Sequence, residues 1–289
     1  MPFTNHPSFD RPAISTRLWR YTDLAKFFEL LTSRRLWLTN AEILAEEDPY
    51  EGSPGPLQFP HRLWKSIDEV PDTLKAQIVE IYGKDCSAEQ AFMGWFMLCE
   101  QECHMNRSTR RNYYVNCWHA GQSESAAMWK IYGSPGAGVA IVSNGGRIES
   151  ALAAEAKQLN LGAVQYEDPN TFQIGYRNGF DTLMIKRNSY AYEHEVRLVY
   201  WDTNDMHDSL ANFAWNEKHM RFDDIIEDHR PINPGINLAC DIDVLIERVV
   251  VSPFAPSWYM GMIERLRDHL NFKFPISNSV LLTGPTVVP

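Results

Sequence analysis

The chain has 289 residues, 44% hydrophobic and 22% charged, the proportions of an ordinary globular protein long enough to bury a sizeable core. Its formal net charge of −10 opposes a phosphate backbone, which disfavours non-specific nucleic-acid binding. Five cysteines without framework spacing argue against a disulfide scaffold, and no stretch approaches the roughly 20 apolar residues that span a bilayer, so a cytoplasmic protein is expected.

Residues 1–16 hold three prolines and no periodicity, and read as a flexible N-terminal arm. Leu18-Trp19-Arg20-Tyr21 has the look of a short strand. Thr22 or Asp23 can cap the helix that follows, where Leu24, Phe27, Phe28 and Leu31 recur at helical spacing. Arg34 and Arg35 suit its C-terminus, and Leu36–Thr39 returns as a strand. The acidic, proline-rich stretch 46–56 excludes a continuous helix. Residues of about 57–110 read as a helical insertion, with one helix starting near Pro71 and another at Ser87, where Gln90 completes a capping box. The Arg107–Arg111 cluster reads as a solvated loop beyond it.

From Tyr113 onward, short strands alternate irregularly with helices. Strands are expected at Tyr113–Trp118, Gly138–Val142, Leu161–Tyr166, from Glu193 or Glu195 to Trp201, and at Arg248–Ser252. Helices are expected from Ser123 to Gly133, near 147–159, within 170–188, and through Met262 and Leu266, with Val280–Leu282 closing the sheet. The sum is a single α+β domain over 17–289, a mixed and mostly antiparallel sheet flanked by helices.

The segment Tyr192-Glu193-His194-Glu195-Val196-Arg197 is the strongest candidate for chemistry. In an extended chain Glu193, Glu195 and Arg197 project to one side, while Val196, Leu198 and Tyr200 pack on the other. Two neighbouring carboxylates raise each other's pKa and Arg197 lowers that of Glu195, which suits acid–base work. The same pattern also fits an ion pair on a solvated strand face. Asp48-Pro49-Tyr50-Glu51 brings two carboxylates together, as a turn or a cation site. Trp118-His119 with Trp129 and Tyr132 fits either ring stacking or core packing. Cys99 and Cys103 share a helix face without a second paired motif, and no metal site is expected. Gly133–Gly138 precedes a strand and reads as a turn, because a phosphate loop leads into a helix.

Taken together, Leu18–Tyr21, Asp48–Glu51, Cys117-Trp118, Ala127-Met128-Trp129 with Tyr132, Gly138–Ile141, Val164–Tyr166, Lys186, the Glu193/Glu195/Arg197 segment and Val249–Pro253 resemble the bacterial family of unknown function DUF2971, related to AbiGi-type phage-resistance proteins. The order of the early Arg20-Tyr21-Thr22 and the late Glu193-His194-Glu195 is also distantly similar to ADP-ribosyltransferases. That resemblance implies their fold, NAD as cofactor, a macromolecular acceptor, and a role in phage defence or as a toxin. It implies that Glu195 accepts the nicotinamide-ribose hydroxyl and steadies oxocarbenium charge, while Glu193 orients or deprotonates the acceptor. Arg20, with Tyr21 and Thr22, would meet the diphosphate, and Trp118, Trp129 and Tyr132 would line the nicotinamide site. The residues by themselves also allow a non-enzymatic nucleotide- or protein-binding sensor module, or a metal-dependent hydrolase using Asp48, Glu51 and Glu195.

Overall fold

Strand β1 (Arg17–Asp23) leads directly into helix α1 (Leu24–Ser33), whose first turn is capped by Asp23 accepting from the Lys26 amide. These residues belong to a computed structural model that describes 2–134, 136–168, 170–171, 179–203, 214–216, 218–223 and 231–284. Arg34, in a left-handed conformation, ends α1 and opens β2 (Arg35–Asn40). Asn40 then caps α2 (Ala41–Glu47). The helical section comprises α3 (Pro60–Leu63), α4 (Asp72–Tyr82) and α5 (Ala88–Thr109), and the Ser87–Gln90 capping box forms as predicted. Arg107 sits in the last turn of α5 and Arg110 grips Glu42 through two hydrogen bonds, so this cluster is not a solvated loop.

Strand β3 (Tyr113–Ala120) is followed by α6 (Ala126–Ile131), capped by Ser125 rather than Ser123, and by β4 (Gly138–Asn144). Helix α7 (Gly145–Ala151) is shorter than predicted. Beyond it the Glu155 carboxylate accepts from the Ala156 and Lys157 amides, a local turn that competes with helix. The single strand expected over 161–166 is two, β5 (Leu159–Ala163) and β6 (Gln165–Glu167). The helix expected within 170–188 falls partly outside the described residues, which show a 3-10 turn at Thr182–Met184 and then β7 (Ile185–Arg187). The chain continues through β8 (Glu195–Trp201), β9 (Ala214–Asn216), β10 (Arg221–Asp223) and β11 (Gly235–Ala239). It ends with α8 (Ile242–Leu245), β12 (Arg248–Val251), α9 (Tyr259–His269) and β13 (Ile276–Asn278). The closing strand is β13, and Val280–Leu282 lie exposed beyond it.

Among the described residues the main sheet has nine strands, all antiparallel except the β12–β13 pair, which makes the fold α+β with a mixed, mostly antiparallel sheet. Strand β3 is its branch point. One edge of β3 pairs along its length with β8, which pairs onward with β5. The other edge is shared: Tyr114 and Val115 pair with β2, while His119 and Ala120 pair with β1. Between those pairings two side chains bridge the seam, with Asn116 Nδ2 donating to the Trp37 carbonyl (2.7 Å) and Arg20 Nη1 to the Cys117 carbonyl (2.9 Å).

Strand alternation sorts the core. Leu18, Trp118, Val196, Leu198, Ile141 and Val249 face the helices α1, α7 and α9 in the largest apolar cluster. The opposite face carries two smaller clusters, one around Val115, Val199 and Phe180, the other around Trp19, Tyr21 and Trp129. A satellite core of Ile78, Phe92 and Phe96 belongs to the helical section. The N-terminal segment, expected to be loose, is tied down: Phe9 is buried against Phe180, and β5 exchanges backbone hydrogen bonds with Pro2, Thr4 and Asp10. Burial of one aromatic ring and an otherwise unpaired strand edge supply the reason. All five cysteines are free. Among the described residues no helix is long and apolar enough to cross a membrane.

Candidate functional site

The two small clusters leave a polar gap between them on one face of the sheet, where residues of β3, β7 and β8 meet the turn after α2. Sequence alternation predicts Glu193, Glu195 and Arg197 along one extended strand. The structure corrects this, because Glu193 ends a 3-10 turn and His194 takes φ 41°, a left-handed conformation uncommon outside glycine. The Ala120 amide holds the His194 carbonyl at 2.9 Å, fixing this corner against β3. Glu193 leaves the strand's alternation, yet its carboxylate swings back to the same place as that of Glu195.

Lys186 makes the junction. Its Nζ lies 2.6 Å from Glu193 Oε2, 3.3 Å from Glu195 Oε2 and 4.0 Å from Glu51 Oε2. Arg197, fully buried, grips Glu195 with Nε (2.8 Å) and Nη2 (3.0 Å). Its far edge holds Glu51, through Nη1 to Oε1 and Nη2 to Oε2 (3.0 Å), and Nη1 also donates to the Leu183 carbonyl. These are charge-assisted bidentate pairs, the form in which a buried guanidinium is tolerated. Tyr132 Oη donates to Glu193 Oε1 (2.6 Å), and the Glu195 amide donates to Tyr166 Oη (2.7 Å). At the margin Asp48 accepts from Arg187 (2.7 Å), whose guanidinium lies over the rings of Tyr50 and Tyr190. The face is therefore a buried ionic network, where the sequence allows either an acid–base site or a solvated ion pair.

The carboxylates Asp48, Glu51 and Glu195 meet Arg187, Arg197 and Lys186, cations of the protein itself. No group of three or more His, Cys, Asp or Glu placed to hold a metal ion occurs among the described residues. Three carboxylates, Glu51, Glu193 and Glu195, surround two cationic side chains, Lys186 and Arg197, so the network has a formal excess of one negative charge. Burial alone would raise the Glu195 carboxyl, but Arg197 and then Lys186 outweigh it and hold its pKa at about 2. Burial and the Glu193 carboxylate push the Tyr132 phenol well above its ordinary value, keeping it a proton donor. Burial likewise raises the Cys117 thiol, which donates to Glu195 and is a poor nucleophile.

A cleft of about 380 Å³ opens over this network. Glu193, Glu195, Lys186 and Tyr132 line one part, and Arg20, Tyr21, Thr22, Lys26 and Thr39 line the part near the seam between β1 and β2. Among the described residues Arg20 has a backbone carbonyl as partner and no carboxylate within ion-pairing distance. Burial pushes its guanidinium pKa down, an electrostatic cost that a bound anion would offset. Tyr21 is mostly committed to structure: its hydroxyl accepts from the Ser125 amide (2.7 Å), and burial pushes its pKa to about 12.

The predicted aromatic set divides. Tyr132 lines the cleft, 40% exposed. Trp129 does not: it is fully buried in the cluster with Trp19 and Tyr21, its Nε1 donating to Glu124 (2.8 Å), so it has no face for a nicotinamide ring. Trp118 borders the cleft but packs in the main core with Val196 and Leu198, because β3 alternation turns it away from Cys117 and His119. Lys186, Tyr166, Cys117 and His119 are site residues whose roles sequence reasoning missed. The available signal was strand parity, which places Val115, Cys117 and His119 on one face of β3. Lys186 lies on a separate short strand, and no local pattern joins it to Glu51 and Glu195. Comparison of the chain with protein families, with curated proteins and with solved structures finds no match.

Proposed function

We propose that the cleft binds NAD⁺ and that the protein cleaves its nicotinamide–ribose bond, as an NAD glycohydrolase or ADP-ribosyltransferase, in phage defence or as a toxin. The observation that carries this reading is one cleft that holds Arg20, which has no carboxylate partner among the described residues, and a net-negative carboxylate cluster at Glu193 and Glu195. A diphosphate complements the first, and the positive charge that develops on ribose C1′ complements the second. Nicotinamide departs with the bonding electron pair, which neutralises its ring. Glu193 is the carboxylate assigned to C1′, because it holds one donor on each oxygen, Tyr132 and Lys186. Glu195 acts as a positioning residue, since Arg197, Lys186 and Cys117 all donate to it.

The test is chromatography of nicotinamide released from NAD⁺ by the purified protein, with and without cell extract as a source of acceptors. Glu193→Gln should lower kcat at least about 100-fold, the usual cost of removing one electrostatic stabiliser of a transition state. Absence of release from wild type under both conditions would overturn the reading. The saturation of Glu195 favours a second reading, a nucleotide-binding module without turnover. Saturable NAD⁺ binding that Arg20→Met weakens, with no nicotinamide formed, would establish it instead.

A further inference from the structure

His119 stands on β3 two residues beyond Cys117, on the same face as the ionic network, and lines the cleft. Its Nδ1 lies 2.6 Å from the Glu193 carbonyl oxygen. A carbonyl only accepts, so in the neutral ring Nδ1 carries the hydrogen and Nε2 keeps its lone pair. Burial, with His194 adding to it, lowers the imidazole pKa against the opposing pull of Glu193, so the ring is neutral at physiological pH. The groups around it are Tyr21 of β1 (6.1 Å between ring centroids), His194 (5.8 Å) and Glu193. Space at Nε2 depends on Gly121, where an added Cβ would lie 3.0 Å from that nitrogen.

One residue thus organises both groups. The Glu193 backbone orients the imidazole, while its carboxylate takes Tyr132 and Lys186. The left-handed corner at His194 lets one residue point its carbonyl at β3 and its side chain at β7.

We infer that His119 Nε2 is the catalytic base that takes the proton from the nucleophile, a water or an acceptor hydroxyl, as it attacks ribose C1′. The inference rests on the NAD-cleaving reading above. The C1′–N bond breaks with its electron pair passing to the nicotinamide ring. The C1′–O bond forms from the nucleophile's oxygen, whose proton moves to Nε2 and then to solvent.

Nicotinamide release should be followed across about pH 5–9 for wild type, His119→Gln, His119→Gly and Gly121→Ala, with NAD⁺ affinity and circular dichroism of each. Wild-type kcat should fall on the acid side as the imidazole protonates. His119→Gln should lose about 100-fold in kcat together with that acid limb. Added imidazole should restore part of the rate to His119→Gly. Gly121→Ala keeps the ring but crowds Nε2, and should lower kcat while leaving NAD⁺ affinity unchanged. Folded His119 variants with wild-type kcat and an unaltered pH profile would overturn the role of His119 while leaving NAD cleavage standing. A wild type that cleaves no NAD⁺ overturns both.

Discussion

Arg197 concentrates the energetics of the site in one side chain. Taking a guanidinium out of water costs several kcal/mol, and its two bidentate carboxylates and the Leu183 carbonyl offset that cost. Arg197→Met should therefore destabilise the protein by about 3–5 kcal/mol in urea unfolding, since it takes the bidentate partner from Glu51 and Glu195 and leaves them Lys186, which Glu193 already shares. A loss below about 1 kcal/mol would show that the pair is not buried as described. Glu195 gives the same network a pH signature. Its folded pKa of about 2 lies below the unfolded carboxylate value, so its contribution is fully present above pH ~4.5 and is lost as pH falls through about 2. The stability difference between wild type and Glu195→Gln should hold constant at neutral pH and shrink across that window. A difference that instead grew on acidification would contradict the assignment.

At the scale of elements, the N-terminal segment closes an edge that the fold would otherwise leave open. Strand β5 pairs with β8 on one side, and its other side is covered by residues 2–10 rather than by a strand of the sheet. Phe9 packs directly over Gly162, where an added Cβ would come within 2.8 Å of the Phe9 Cβ. Gly162→Ala should lift the segment and raise hydrogen exchange at the Leu159 and Ala163 amides, which donate to Pro2 and Asp10. Phe9→Ala should cost about 3 kcal/mol, the low end for a buried phenylalanine because the site lies at an edge. Unchanged exchange in both variants would mean that the segment does not hold the edge. The corner at Glu193-His194 shows how an element boundary sets chemistry: ending the strand at Glu195 frees Glu193 to face Tyr132 and Lys186 together.

At the scale of the whole molecule, the branched sheet creates the cleft. Because β1 and β2 pair with different parts of one edge of β3, a seam opens that Arg20 and Asn116 bridge with side chains. A ligand seated there would touch both arms, so NAD⁺ at 100 times its Kd should stabilise the fold by about 2.7 kcal/mol, seen as a rise in Tm. Much of this architecture was legible in the chain. The α1 and Ser87 caps, the parity of Val196, Leu198 and Tyr200 against Glu195, Arg197 and Val199, and the α+β class all follow from local propensity and periodicity. The amino-acid sequence by itself also determined the inventory of charge, including the acidic Asp48–Glu51 turn and the Glu193/Glu195/Arg197 segment. Only the tertiary structure decided which of those charges meet. Glu51 and Arg197, which pair, are 146 residues apart, and Arg20 and Glu195, which line one cleft without pairing, are likewise too far apart in the chain for periodicity to relate them. It likewise decided that Trp129 is core and Tyr132 is cleft, because burial depends on what packs against α6 rather than on the ring.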